Sequence, residues 1–390
     1  MRRTIGNALC NALCRALLLA SCVTTALPAQ QPPPAQRADS AKKGKHHKQD
    51  GGERAAGDTA GAREKKAYVP RPLFASAAPL TITLAADFGA LAKERDTLRV
   101  RRHPATLTYL DERGAPAKLD VQLSTRGHFR LKAATCGFPP LRVTFAKEQV
   151  KGTAFAGQRA LKLVTHCRSG DPKYEQYVLR EYLVYKVLNA LTDRSFRDRL
   201  ARVTYVDPAR PDRPVTAYGY FVESEDEMAA RLGGRIVTAR GGRFADFDPD
   251  QTDLVSVFEY FIGNTDWSLA SLHNIRIVGN DQGLFFPVPY DFDWSGLVQT
   301  HYALPDPRLP IKSVRERLYR GPCRTAAQLA PTFALFRARR DSITALYRGL
   351  RDLDRDYVKD SEAYFADFYE TIGNATQWKH EADRVCAESN

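Results

Sequence analysis

No C-x-x-C pair occurs anywhere in this chain, so the commonest spacing for a structural zinc site is missing. There is no internal repeat, which sets aside solenoids and propellers. A concentrated basic face is lacking as well. The formal net charge is +13, but Arg2, Arg3 and Arg15 carry three of those charges and residues 37–66 a net four. About six remain for more than 300 residues, and there Arg and Asp interleave, as in RDRLARVTYVDPARPDR. A nucleic-acid binder gathers its basic residues on one face or helix, so no nucleic-acid partner is expected. Near the N-terminus the apolar core runs only from Ala16 to Ala20, far short of the roughly 20 residues a spanning helix needs.

That short core, preceded by arginines, has the form of an export segment over residues 1–22. Leu19-Ala20-Ser21-Cys22 fits a bacterial lipobox, in which Cys22 is lipidated and becomes the mature N-terminus; an ordinary signal peptide is the alternative. Both readings send the chain to the cell envelope, the periplasm or the exterior, and a lipid at Cys22 would be its one membrane contact. Residues 23–70 (QQPPPAQ, KKGKHHKQDGGER, AGDTAGAREKK) have almost no aromatic or β-branched content, so burial cannot offset the entropy of ordering them. They read as a tether, and His46 and His47 within it as solvated residues. Of the 7 cysteines, Cys136, Cys167, Cys323 and Cys386 lie beyond this region. An even number in an exported protein favours two disulfides of undetermined pairing.

From residue 71 to 223 the pattern is strand-rich. LTITL (80–84), ATLTYLD (105–111), KLDVQLS (118–124), LRVTF (141–145), ALKLV (160–164) and RVTYV (202–206) alternate apolar and polar residues between turn signals. One helical stretch, Glu175 to Leu191, interrupts them. From 224 to 390 helical spacing prevails, in EDEMAARLG, LVSVFEYFIG and APTFALFRARRDSITALYRGL. Ser224 and Glu227 have capping-box spacing at the change from strand to helix.

The most informative segment is FEYFIGNTDWSLASLHNIRIVGNDQGLFFPVPYDFDWSGL, from Phe258 to Leu297. An apolar helix leads to Asn264 and Asp266. Asn274 opens a strand, a turn follows, and a second strand delivers Asp291 and Asp293, which share a face if the chain stays extended. Carboxylates so close repel one another unless a cation lies between them, and hard oxygen donors suit Mg²⁺ or Mn²⁺. A base or positioning Asp, then an Asn ligand, then a metal-binding Asp is the order in a kinase metal–phosphate site. Asp266 and Asn274 are eight apart, where protein kinases use five. Gly296 would lend the following loop its freedom.

Together with QLSTRGHFR (122–130), FPPLRVTF (138–145), ALKLV (160–164), LREYLVYKVL (179–188) and AYGYFVESED (217–226), this segment resembles the CotH-type atypical kinases over roughly residues 80 to 300. The resemblance implies an α+β, kinase-like two-lobed fold, with a β-rich N-lobe carrying one main helix and a helical C-lobe. It implies ATP and Mg²⁺ or Mn²⁺, with phosphate passing to a protein or other envelope acceptor. Asp266 would act on the acceptor, Lys162 would hold phosphates with Glu181 orienting it, and Arg142 competes for the lysine's role. Arg126, beside Gly127, resembles the family's phosphate-side turn, which is no G-x-G-x-x-G loop. Arg180 matches the family's helix arginine, Glu223 would line the nucleotide cleft, and Asn274, Asp291 and Asp293 would hold metal. Two other readings remain: a glycosyltransferase using Asp291-Phe292-Asp293 as a D-x-D site, and a binding module without turnover.

Overall fold

A computed structural model describes residues 68–96, 99–111 and 114–386. The export segment with Cys22, the histidines at 46 and 47, and the tether up to residue 67 lie outside the described residues. Tyr68 and Arg71, at the tether's expected end, already touch the folded part: the Tyr68 hydroxyl donates to Glu227 Oε1 at 3.4 Å and Arg71 pairs with Glu227 at 2.9 Å.

Each stretch with period-two alternation forms a strand. The first seven are β1 (Leu80–Ala86), β2 (His103–Leu110), β3 (Pro116–Thr125), β4 (Leu141–Phe145), β5 (Ala160–Val164), β6 (Asp198–Val206) and β7 (Val215–Val222). Their order is β1-β2-β3-β4-β5-β7-β6, and β6 returns to lie parallel against β1, with Leu80 opposite Ala201 and Ile82 opposite Val203. The sheet is therefore a closed, mixed barrel. Inward residues such as Leu84, Leu107, Leu123, Val143, Leu161, Leu163, Val203 and Phe221 fill it.

The helix expected at 175–191 is α2 (Pro172–Leu191), which follows the short α1 (Phe88–Lys93). Asp171 caps α2 by accepting from the Lys173 amide, and Pro172 occupies its first turn. Twelve of its twenty residues are buried, on every face, so α2 is a central helix rather than a surface one. After it come α3 (Glu225–Arg231), β8 (Gly234–Val237), α4 (Pro249–Ile262), β9 (Ile275–Asn280), β10 (Phe285–Pro289), α5 (Ala330–Gly349), α6 (Arg355–Gly373) and α7 (Ala375–Ala382). The strands β10, β9 and β8 form a second, three-stranded sheet. Ser224 accepts from the Glu227 amide at 3.2 Å, while the Glu227 carboxylate turns to Arg71 and Gln158, so only half of the expected capping box is made.

The kinase-like two-lobed fold with a helical C-lobe is overturned. The strand-rich half closes on itself as a barrel, and three further strands sit within the half expected to be helical. The core explains why lobes do not form. β5 and β7 are buried on both faces: Leu163 and Phe221 point into the barrel, while Val164, Tyr220 and Val222 pack outward. Those outward residues join α2 and the later helices through Phe258, Phe261, Phe333, Phe336, Phe365 and Phe368 in one continuous apolar cluster. At about 1.5–3 kcal/mol for each fully buried large side chain, that shared interior holds barrel and helices together as one body.

Cys136 pairs with Cys167 and Cys323 with Cys386, spanning 31 and 63 residues. The first ties the β3–β4 loop to the β5–α2 loop, and the second ties the chain's last described residue to the segment before α5. Two disulfides agree with export. No helix among the described residues is long and apolar enough to cross a membrane. Replacing Cys323 and Cys386 by serine should lower stability by about 2–5 kcal/mol in denaturant unfolding. Thiol labelling of natively exported protein should find all four cysteines blocked; four reactive thiols would contradict both the pairing and the compartment.

Candidate active site

The helix α4 stops at Gly263, whose φ of 66° lies in the left-handed region that favours glycine. Beyond it the loop is held by its own side chains. Asn264 accepts from the Asp266 amide at 3.0 Å, and the Asn274 side-chain nitrogen donates to both the carbonyl (2.8 Å) and Oδ2 (3.0 Å) of Asp266. His273 Nε2 lies 2.9 Å from Asp266 Oδ1. The extra residues between Asp266 and Asn274 are taken up in a tight excursion, closed by paired backbone bonds of 3.0 Å between Ser268 and His273. An eight-residue spacing thus still returns Asn274 to Asp266. Asn274 thus has its side-chain nitrogen committed to Asp266. Its φ of 52°, like the 66° of Asp291, is left-handed in a residue with a side chain, a conformation that clusters at functional sites.

The Tyr290 amide donates to the Asn274 carbonyl at 3.0 Å, which sets the end of β10 beside Asn274. The strand stops there, so Asp291 and Asp293 do not share an extended strand face as the sequence implies. The left-handed turn at Asp291, whose amide donates to the Tyr185 hydroxyl at 3.0 Å, brings them together instead. A third carboxylate joins from α2: one oxygen each of Glu181, Asp291 and Asp293 lie within 4.8 Å of one another. Glu181 and Asp293 are buried and Asp291 is exposed. Burial pushes both buried carboxyls well above the ordinary range, and the neighbouring carboxylates push them further. Tyr302 donates to Asp293 Oδ2 at 2.7 Å. Arg130 comes in from the β3–β4 loop, anchored on the Thr165 carbonyl at 2.6 Å. Although burial opposes its charge, Tyr302, Asp293 and Glu181 keep its guanidinium firmly protonated.

The cations stand on the barrel side. Arg142 and Lys162 are directly opposed across β4 and β5, so they share a face, and Arg126 follows the end of β3. Burial and the nearby Arg126 lower the ammonium pKa of Lys162, while Glu225 and Asp291 partly restore it. Burial and Arg126 likewise lower Arg142. The partner of Lys162 is Glu225 at 3.2 Å, not Glu181. Glu225 also holds Arg276 at 2.9 Å, and the Lys162 ammonium lies 5.0 Å from the Tyr290 ring centre. Glu223 stands apart from this group. Its carboxylate takes two bonds of 2.9 Å from Arg231 and one of 3.0 Å from the Arg197 amide, at 1% exposure. Arg180 is stacked 3.9 Å over Tyr357. Gly296 serves contact rather than freedom: a Cβ there would lie 2.1 Å from the Val314 carbonyl oxygen.

Asp266, Asn274, Glu181, Asp291, Asp293, Lys162, Arg142 and Arg126 are therefore linked through direct contacts or close electrostatic coupling, from segments more than 160 residues apart. A cleft of about 850 Å³ opens beside Asp266, between His273, Trp294, Pro305, Arg308 and Arg320. The sequence reading missed Arg130, Tyr302 and Glu225; the second basic residue of RGHFR was the one local sign. The donor set fits a hard divalent cation. Three carboxylates are the kind of oxygen donor that Mg²⁺ or Mn²⁺ takes. No protein-family model matches this chain, and no curated protein matches it.

Since the folded pKa values of Glu181 and Asp293 are raised, their protonated forms favour folding at acid pH. That contribution is lost as pH rises from the ordinary carboxylate range through neutrality. In chelator, the midpoint of thermal unfolding should fall between about pH 5 and about pH 8, and Glu181→Gln should flatten the fall. Parallel pH profiles for wild type and variant would show that Glu181 is not the group responsible.

Proposed function

We propose that this chain is an exported, metal-dependent phosphotransferase that takes ATP with Mg²⁺ or Mn²⁺ and phosphorylates a hydroxyl on a protein or other envelope acceptor. It would be tethered to the envelope by a lipid at Cys22. The observation that carries the reading is the meeting of a carboxylate cluster with three cations, Lys162, Arg142 and Arg126, beside an oriented carboxylate, Asp266. The motif-level resemblance to CotH-type kinases supports it through these residues, not through the fold.

In this reading Lys162, Arg142 and Arg126 bind the triphosphate oxygens. A divalent cation, when bound, would offset phosphate charge against Asp291, Asp293 and Glu181, with Asn274 as a further oxygen donor. Asp266, aimed by Asn274 and His273, accepts the acceptor's hydroxyl proton as that oxygen bonds to the γ-phosphorus and the bond to ADP breaks. A D-x-D glycosyltransferase calls for an α/β nucleotide-binding region ahead of the motif, and the residues there form a closed barrel. Glu223, filled by Arg231, is given no part.

Calorimetry should show ATP binding that needs Mg²⁺ or Mn²⁺ and is lost in Asp291→Ala. Asp266→Ala should keep that binding while turnover falls about 10²–10⁴-fold. Equal ATP affinity in chelator and in Mg²⁺, or wild-type turnover in Asp266→Ala, would refute the proposal.

A further inference from the structure

Glu259 is an ionisable residue in the last turn of α4, yet it is 1% exposed. A carboxylate there faces the negative end of the helix dipole and has lost its hydration, two costs that a surface residue would avoid. Burial pushes its carboxyl up to about 8, and Asp266 adds to the rise while Asn264 opposes it. Its Oε1 has no hydrogen-bond partner. Its Oε2 accepts from the Asn264 side-chain nitrogen at 2.9 Å, and its backbone carbonyl accepts from the Asn264 amide at 2.8 Å. Asn264, also 1% exposed, in turn holds the Asp266 amide through Oδ1. The amide of a buried asparagine can serve both ends only in one orientation, nitrogen toward Glu259 and oxygen toward Asp266.

The rest of the loop has little slack. Arg320 donates to the Thr265 carbonyl and, at 3.3 Å, to the Trp267 carbonyl. A side chain at Gly263 would meet the Tyr364 hydroxyl at 2.2 Å. The loop is therefore fixed at both flanks and, at the Asp266 side chain, by Asn274 and His273, while the Asp266 amide is held by Asn264, whose rotamer Glu259 decides.

We infer that Glu259 is a positioning residue for Asp266, acting through the side chain of Asn264, and this rests on the catalytic role proposed for Asp266. Without Glu259 the Asn264 amide can turn over and release the Asp266 amide, and the carboxylate, still held by Asn274 and His273, shifts on a loosened backbone. Misplacement of a reacting group by about 1 Å can cost about 10²-fold in rate.

The test uses Glu259→Ala, Asn264→Ala and the near-isosteric Glu259→Gln in the exported protein. Two quantities are read: hydrogen exchange at the Asp266 amide and steady-state phosphotransfer. Glu259→Ala and Asn264→Ala should speed that exchange at least about 10-fold and lower kcat by about 10²-fold, with the KM for ATP unchanged. Glu259→Gln should restore both, since its carbonyl oxygen can accept from Asn264. Should Glu259→Ala fail to fold, Asn264→Ala with Glu259→Gln decides. Wild-type exchange at Asp266 in Asn264→Ala, or a rise in KM without a fall in kcat, overturns the inference. A wild-type protein that transfers no phosphate defeats the proposed function, while the exchange measurements still decide whether Glu259 positions Asp266.

Discussion

Two carboxyl groups, Glu181 and Asp293, are buried side by side with a third at the rim, and much of the molecule is arranged around that arrangement. Left alone in a low-dielectric interior they could not both ionise. The balance comes from Arg130, delivered by the β3–β4 loop, and from the Tyr302 hydroxyl. That loop is in turn pinned by the Cys136–Cys167 disulfide and by Phe129, whose ring lies 5.1 Å from Trp294 and 5.3 Å from Tyr302. Glu181 reaches the cluster because α2 is sunk between barrel and helices, and a surface helix could not have placed it there.

Closure of the barrel gives this cluster a stiff support. β4 and β5, which carry Arg142 and Lys162, have paired neighbours on both sides, so the cations stand on backbone with no free edge. The opposing carboxylates come from a turn braced against the same core through Phe292, which packs 4.8 Å from Tyr185 and 5.5 Å from Phe258. Cations and anions therefore face one another across a single packed body. The described residues form one packed body rather than two hinged lobes.

The strands were legible in the sequence because period-two alternation is a local signal, and all six segments read that way lie in strands. The barrel was not legible. Its closing pair joins Leu80 to Ala201, 121 residues apart, and alternation states which face is buried but not which strand is the neighbour. The later half misled for a related reason: helical spacing in α4 and α5 is strong, while β8 is four residues long and only β9 and β10 stood out. At the site, the residues carried by the 258–297 segment could be read in order because spacing alone brings them close. Partners from distant segments could not. Glu225 rather than Glu181 holds Lys162, and Glu223 is consumed by Arg231 eight residues further on, at the end of α3, facts that depend on where α3 lies in the fold.

The central claim is that Glu181, Asp291 and Asp293 form a divalent cation site. It is tested most directly by crystals grown with Mn²⁺ and a non-hydrolysable ATP analogue, examined by anomalous scattering. The expected result is a peak among the three carboxylates, with oxygen distances of about 2.0–2.2 Å and the triphosphate reaching toward Lys162. An empty carboxylate cluster, with Arg130 alone neutralising it and nucleotide bound elsewhere or not at all, would contradict the claim.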